Sequence, residues 1–152
     1  MKSRSYLRKK LSKTRRNLQP SITNKYSQTN IVTMFLQMLN TVKLYHWKTS
    51  NYAQHKATDE LYTNLNTNID TFVEIMLGKT GGRVNLSGHK TLPLFDYNNV
   101  NDFQKEINKF KQFLIDMNKD NTINISNNTD LLNVRDEILG HLNQFTYLLT
   151  FK

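Results

Sequence analysis

"LYHWKTSNYAQHKATDELYTNLNTNIDTFVEIMLG", residues 44–78, contains the end of one helical pattern, a short polar break and the whole of a second pattern. Beyond the break at "TSNYA" (49–53), apolar side chains recur at Leu61, Leu65, Ile69, Phe72 and Ile75 or Met76, the three- and four-residue steps of a single helix face. Gly78 offers a stop. Upstream, Val32, Phe35, Leu36, Leu39, Val42 and His46 keep the same period. The spacing predicts helix A over about 29–48 and helix B over about 54–78. Residues 79–99, with glycines and a proline, read as a long loop without a strand pair. Val100, Phe103, Ile107, Phe110, Leu114 and Met117 then mark helix C, about 100–119, with Asn101 or Asp102 as its cap. Leu131, Leu132, Val134, Ile138, Leu142, Phe145, Leu148 and Leu149 mark helix D, about 128–151, opened by Thr129 or Asp130. Four amphipathic helices with one long B to C connection describe an all-α four-helix bundle with a crossover.

The chain has 152 residues, enough for one domain with a core of its own, placed at 27–152. It has no cysteine, so disulfides, thiolate ligands and thiol nucleophiles are excluded, and carboxylates and imidazoles are left for any chemistry. No apolar run approaches the roughly 18 to 20 residues of a membrane span, and the N-terminus lacks a secretory core. These features predict a soluble, non-secreted protein with no membrane partner.

The net charge of +9 is unevenly spread. Residues 1–58 hold 12 Lys and Arg and no acid, whereas residues 59–152 hold 9 against 12 Asp and Glu. The first 26 residues, rich in Lys, Arg and Ser, bury little and are expected to be a mobile basic arm. Leu7, Leu11 and Leu18 would let the arm become an amphipathic helix on a polyanion. Three readings compete: contact with DNA phosphates through Lys2, Arg4, Arg8, Lys9, Lys10, Lys13, Arg15 and Arg16, a nuclear or organellar address, and a solubilising tail.

The candidate metal ligands are His46, His55, Asp59, Asp70 and Glu74. His55 and Asp59 are four residues apart, as are Asp70 and Glu74, so each pair projects from one face of helix B. Fifteen residues, roughly 22 Å at ~1.5 Å per residue, separate His55 from Asp70 on a continuous helix. One ion cannot bridge that gap, because ligands lie within ~2 to 2.3 Å of a metal. A two-fold axis packing helix B antiparallel to its mate brings the His46/His55/Asp59 end of one chain to the Asp70/Glu74 end of the other. Mixed imidazole and carboxylate ligation suits iron, with zinc or manganese as substitutes. Taken singly, each pair also fits a surface ion pair or a solvated helix edge. Asp70 and Glu74 sit beside Ile69, Phe72 and Val73, where an unpaired carboxylate is costly. Met34, Met38, Met76 and Met117 read as core, and His89 and His141 are assigned to no site.

The segment "YHWKTSNYAQHKATDELYTNLNTNIDTFVEIMLG" resembles the ferroxidase segment of the Dps mini-ferritins, the DNA-binding proteins of starved cells. His46-Trp47, His55, Asp59, Asp70 and Glu74 match that family's residue types and its helix B spacings. Helix D is similar more loosely. The loop between His46 and His55 is shorter than the family's usual one, and the B to C connection does not clearly show its short extra helix. The chain is also similar to a group of Dps-like proteins encoded by large DNA viruses, which share the "LYHW" and "DELY" wording.

The resemblance implies a ferritin-like fold and a hollow homo-oligomer, a dodecamer of two-fold dimers. It also implies ferroxidase sites that oxidise Fe(II) with hydrogen peroxide or oxygen, and storage of ferric iron inside. Asp70 and Glu74 would act from one subunit and His46, His55 and Asp59 from its mate, with Trp47 near the site. It further implies non-specific DNA binding through the basic arm, and a cytoplasmic or nucleoid-associated location, or a virion or nuclear one if the chain is viral. The alternative is a non-enzymatic DNA-packaging or structural protein on the same bundle, with a vestigial or structural metal site.

Overall fold

The computed structural model describes residues 25–120 and 126–151. The arm with its eight named Lys and Arg lies outside the described residues. Four α-helices follow in order: α1 (Gln28–Lys48), α2 (Tyr52–Thr80), α3 (Val100–Asp116) and α4 (Thr129–Leu148). Among the described residues there is no strand, and no helix is long and apolar enough to cross a membrane.

The first three helices begin where a short polar side chain satisfies an orphan backbone N–H group. Ser27 accepts from the Asn30 amide, Asn51 from Gln54 and Asn99 from Asp102. The cap of α3 is therefore Asn99 rather than Asn101 or Asp102, which lie inside the first turn. Asn128, not Thr129 or Asp130, precedes α4, without a side-chain cap bond. The stop of α2 also moves. Gly78 stays helical, and the chain leaves the helix at Gly81, whose φ of 67° is the left-handed conformation glycine adopts without strain. At its C-terminal end α3 tightens into a 3-10 turn at Met117–Lys119, short of the predicted α-helical end. Arg135, only 3 % exposed, covers that end by donating from Nη1 to the Leu114 carbonyl at 2.9 Å and from Nη2 to Asn118 Oδ1 at 3.0 Å. α4 stops at Leu148, three residues before the predicted end.

The apolar faces converge on one core, with Phe35, Met38, Leu65, Phe72, Phe103, Ile107, Phe110, Leu114, Ile138, Leu142 and Phe145 almost wholly inaccessible. Met38, Met76 and Met117 are buried within it. Leu36, assigned by periodicity to this face, is exposed instead. Phe35 meets Phe72 edge-on at 5.1 Å, and Phe103 meets Phe145 at 5.8 Å.

Contacts at the two ends fix the arrangement. At the first end, the ring of Tyr45 (α1) stacks on Phe103 (α3) at 4.0 Å, and its hydroxyl donates to Gln54 (α2) at 2.8 Å. At the second, Tyr26 donates to the Phe113 carbonyl at 3.0 Å, and Lys79 (α2) pairs with Asp130 (α4) at 2.9 Å. Tyr26 is thus buried and belongs to the bundle, so the predicted boundary of the arm at residue 26 falls too late. The α2–α3 connection, residues 81–99, is irregular. It carries Asp96, paired with Lys48 at 2.7 Å, and Tyr97, which donates to the buried Glu106 at 2.7 Å.

Candidate metal centre

The turn between α1 and α2 is three residues long, and polar bonds hold it shut. Gln54 Oε1 accepts from Tyr45 at 2.8 Å and from Thr49 at 2.9 Å, while Asn51 caps α2. Burial pushes the Tyr45 hydroxyl pKa upward, so it remains a donor. The closure brings together two histidines nine residues apart, with ring centroids stacked at 3.9 Å.

The two imidazoles hold each other by reciprocal bonds. His46 Nδ1 lies 3.1 Å from the His55 carbonyl, and His55 Nδ1 lies 3.0 Å from the His46 carbonyl. A carbonyl oxygen only accepts, so each Nδ1 carries a proton, and the lone pair of a neutral ring is left to Nε2. That is the tautomer a metal ligand needs, fixed by the outer bond that metal-binding histidines commonly make. Thr58 supports the arrangement, its hydroxyl 3.3 Å from His46 Nδ1 and donating to the Gln54 carbonyl at 2.7 Å.

His46 is buried, whereas Asp59 is exposed, with Oδ1 3.9 Å from His46 Nε2. This is too long for a hydrogen bond. It falls within the roughly 3 to 4.2 Å that separates two ligands with ~2.1 Å bonds to a common ion. His46 and His55 thus stack at the start of α2, with Asp59 near the His46 ring alone.

Asp70 and Glu74 stand elsewhere. Both are exposed, on the side of α2 opposite its buried Leu65, Ile69, Phe72 and Met76. Their apolar neighbours impose no desolvation cost in the single chain, since both side chains reach water. Asp59, Asp70 and Glu74 nevertheless fall within roughly 60° of arc at ~100° per residue, on one exposed face. Among the described residues, no three His, Asp or Glu side chains gather to hold a metal within one chain.

Trp47 is 69 % exposed and does not cover the histidines; its ring lies 5.7 Å from the Lys43 ammonium, which sits 4.6 Å over Tyr62. Sequence reasoning missed Tyr45, Gln54 and Thr58. Their only signal is position, at or near the turn between two helices. It also missed Glu106, a carboxylate buried on α3 between Tyr97 and Lys109.

The profile of the family described as "Family of unknown function (DUF5856)" matches residues 46–149. The chain belongs to this family. The DUF5856 match opens on His46 and takes in His55, Asp59, Asp70 and Glu74, so both parts of the candidate centre lie in the family's own region. No curated protein and no solved structure matches the chain.

Proposed function

We propose that the protein is a mini-ferritin of the Dps type, oxidising Fe(II) at centres shared between two chains and storing the ferric product in a hollow oligomer. The observation that carries this reading is the imidazole pair locked through its Nδ1 atoms, with Asp59 Oδ1 3.9 Å from His46 Nε2 and, among the described residues, no group of three His, Asp or Glu that could hold a metal within one chain. Asp70 and Glu74, exposed on the same helix face, are the complement that an antiparallel copy of α2 would bring. Iron is the substrate. Its electrons pass to hydrogen peroxide or oxygen, and the carboxylates offset the charge gained on going from Fe(II) to Fe(III).

Helix directions support a ferritin-like bundle with a crossover. α2 starts at the end marked by Tyr45 and Gln54, and α3 starts there too, at Phe103. Residues 81–99 therefore have to return along a helix of 29 residues, about 44 Å long. Nineteen extended residues can span roughly 65 Å, which suffices.

Complementation tests the shared centre. Asp70→Ala/Glu74→Ala protein and His55→Ala protein should each oxidise Fe(II) slowly with peroxide. Unfolded and refolded together, they should recover activity, because every mixed dimer contains one intact centre. Absence of fast oxidation by the wild-type chain overturns the reading, and absence of recovery overturns the sharing between subunits.

The basic arm favours a second, compatible activity, sequence-independent DNA binding, in which many arms on one particle multiply weak phosphate contacts. Deleting residues 1–24, which stops short of the anchored Lys25 and Tyr26, should abolish DNA retention at low salt and spare iron oxidation. If full-length protein ignores DNA at low salt, the packaging role is lost. If only the deletion of the arm leaves DNA retention unchanged, the arm is not the contact.

A further inference from the structure

We propose that α2 and α4 form a second divalent-cation site, built by Glu60 and His141 and separate from the His46/His55/Asp59 cluster. Glu60 and Asn64 stand one turn apart on α2, and His141 and Gln144 one turn apart on α4. All four line one small cavity between the helices, walled on its apolar side by Leu61 and Phe145. The two helices therefore face each other with a pair of ligand-capable side chains apiece.

The cavity's volume, about 10 Å³, admits one water-sized particle. One imidazole, one carboxylate and two amide oxygens form a mixed nitrogen and oxygen donor set, suited to a borderline ion such as Zn²⁺, Co²⁺ or Fe²⁺. Among the described residues, Glu60 and His141 take part in no hydrogen bond or ion pair, so both are free to ligate. His141 is also half-buried, on the flank of α4 turned toward α2 rather than on its outer surface. With two ionisable ligands, the site is expected to bind more weakly than a centre of five and to keep water on the ion.

Zn²⁺ titration calorimetry on the full chain carrying His55→Ala, Asp70→Ala and Glu74→Ala isolates this site, because the proposed iron centre has lost three ligands there. One equivalent per chain should remain. Adding His141→Asn or Glu60→Gln should weaken it at least about tenfold, while adding His89→Asn leaves it unchanged. Glu60→Gln keeps shape and exposure, so it carries the test if His141→Asn disturbs packing. A titration with no residual equivalent, or one that survives both substitutions, overturns the proposal. Either result leaves the Fe(II) reading, tested by oxidation in the unsubstituted protein, where it stood.

Discussion

The two ends of α2 are built on different physics. At its start, His46, His55, Tyr45, Gln54 and Thr58 are tied by short bonds around a three-residue turn, much of it shielded from water. Toward its finish, Asp70 and Glu74 stand in solvent, and the neighbouring contacts, Lys79 with Asp130 and Lys25 with Asp116, are ion pairs at partly exposed groups. The first end holds its two histidines in place within a single chain. The second end carries carboxylates that nothing among the described residues orients, so in the proposed centre their order has to come from a second chain. The difference predicts that substitutions at the two ends fail in different assays.

The largest effect belongs to the open end. Asp70→Ala/Glu74→Ala should slow Fe(II) oxidation by at least about a hundredfold in stopped-flow absorbance, since outer-shell losses alone reach that range. Chain stability should change by no more than about 0.5 kcal/mol, the usual range for exposed positions. A large loss of stability with oxidation intact would reverse the assignment.

The closed end should behave in the opposite way. His46→Ala removes a buried ring, its stacking on His55 and its Nδ1 bond to the His55 carbonyl, which keeps only the Thr58 hydroxyl as a side-chain donor. The expected cost is about 2 to 3 kcal/mol in urea unfolding. An unchanged midpoint would show that the stacked pair holds nothing together.

Much of this was legible in the sequence because helical period is a local property. The buried faces at Phe35 and Met38, at Leu65 and Phe72, and at Ile138 and Leu142 follow from three- and four-residue steps. The meeting of His46 with His55 follows from a break too short to do anything but reverse the chain. What stayed hidden depends on partners distant in sequence. Nothing local says that Glu106 is buried, because its acceptance of Tyr97 depends on the path of residues 81–99. Arg135 is inside because α3 ends against it. Gly78 and Gly81 both look like stops, and only the backbone shows which one turns left-handed. For Asp70 and Glu74 the sequence admits both a solvated helix edge and a costly apolar setting, and the structure shows the solvated edge. Adjacency in sequence to Ile69 and Phe72 places a helical residue on a different side, not in the same environment.

A medium effect is expected where the 81–99 connection is held near the closed end. Tyr97→Phe removes the hydroxyl that donates to Glu106 and leaves Lys109 as the carboxylate's partner, at a cost of about 1 to 2 kcal/mol. Tyr97 also has an alkaline signature. Burial, then the hydrogen bond to Glu106 and the carboxylate's charge, push its pKa up to about 12 from an ordinary 10. Because the folded chain holds this proton more tightly, the contribution is complete below pH 10 and fades as pH rises toward 12. The stability difference between wild type and Tyr97→Phe should shrink across that window. A constant difference would mean that the hydroxyl is free of Glu106.

The smallest effect lies at the open end and has the opposite sign in pH. Lys119, Gln112 and Lys25 lower the Asp116 pKa from 3.8 to about 2. A depressed carboxyl contributes stability above its unfolded pKa and loses it as pH falls toward the folded one, here between about 4 and 2. The group lies at the surface, and water and salt screen most of the gain. Asp116→Asn should therefore lower the melting temperature slightly at neutral pH and low salt, with the difference vanishing near pH 2. Raising the salt should erase it, yet leave the effect of His46→Ala untouched, because buried hydrogen bonds are not screened as surface charges are. If salt diminished both effects equally, the two ends would share one mechanism and the contrast between a preformed and an open half-centre would fall.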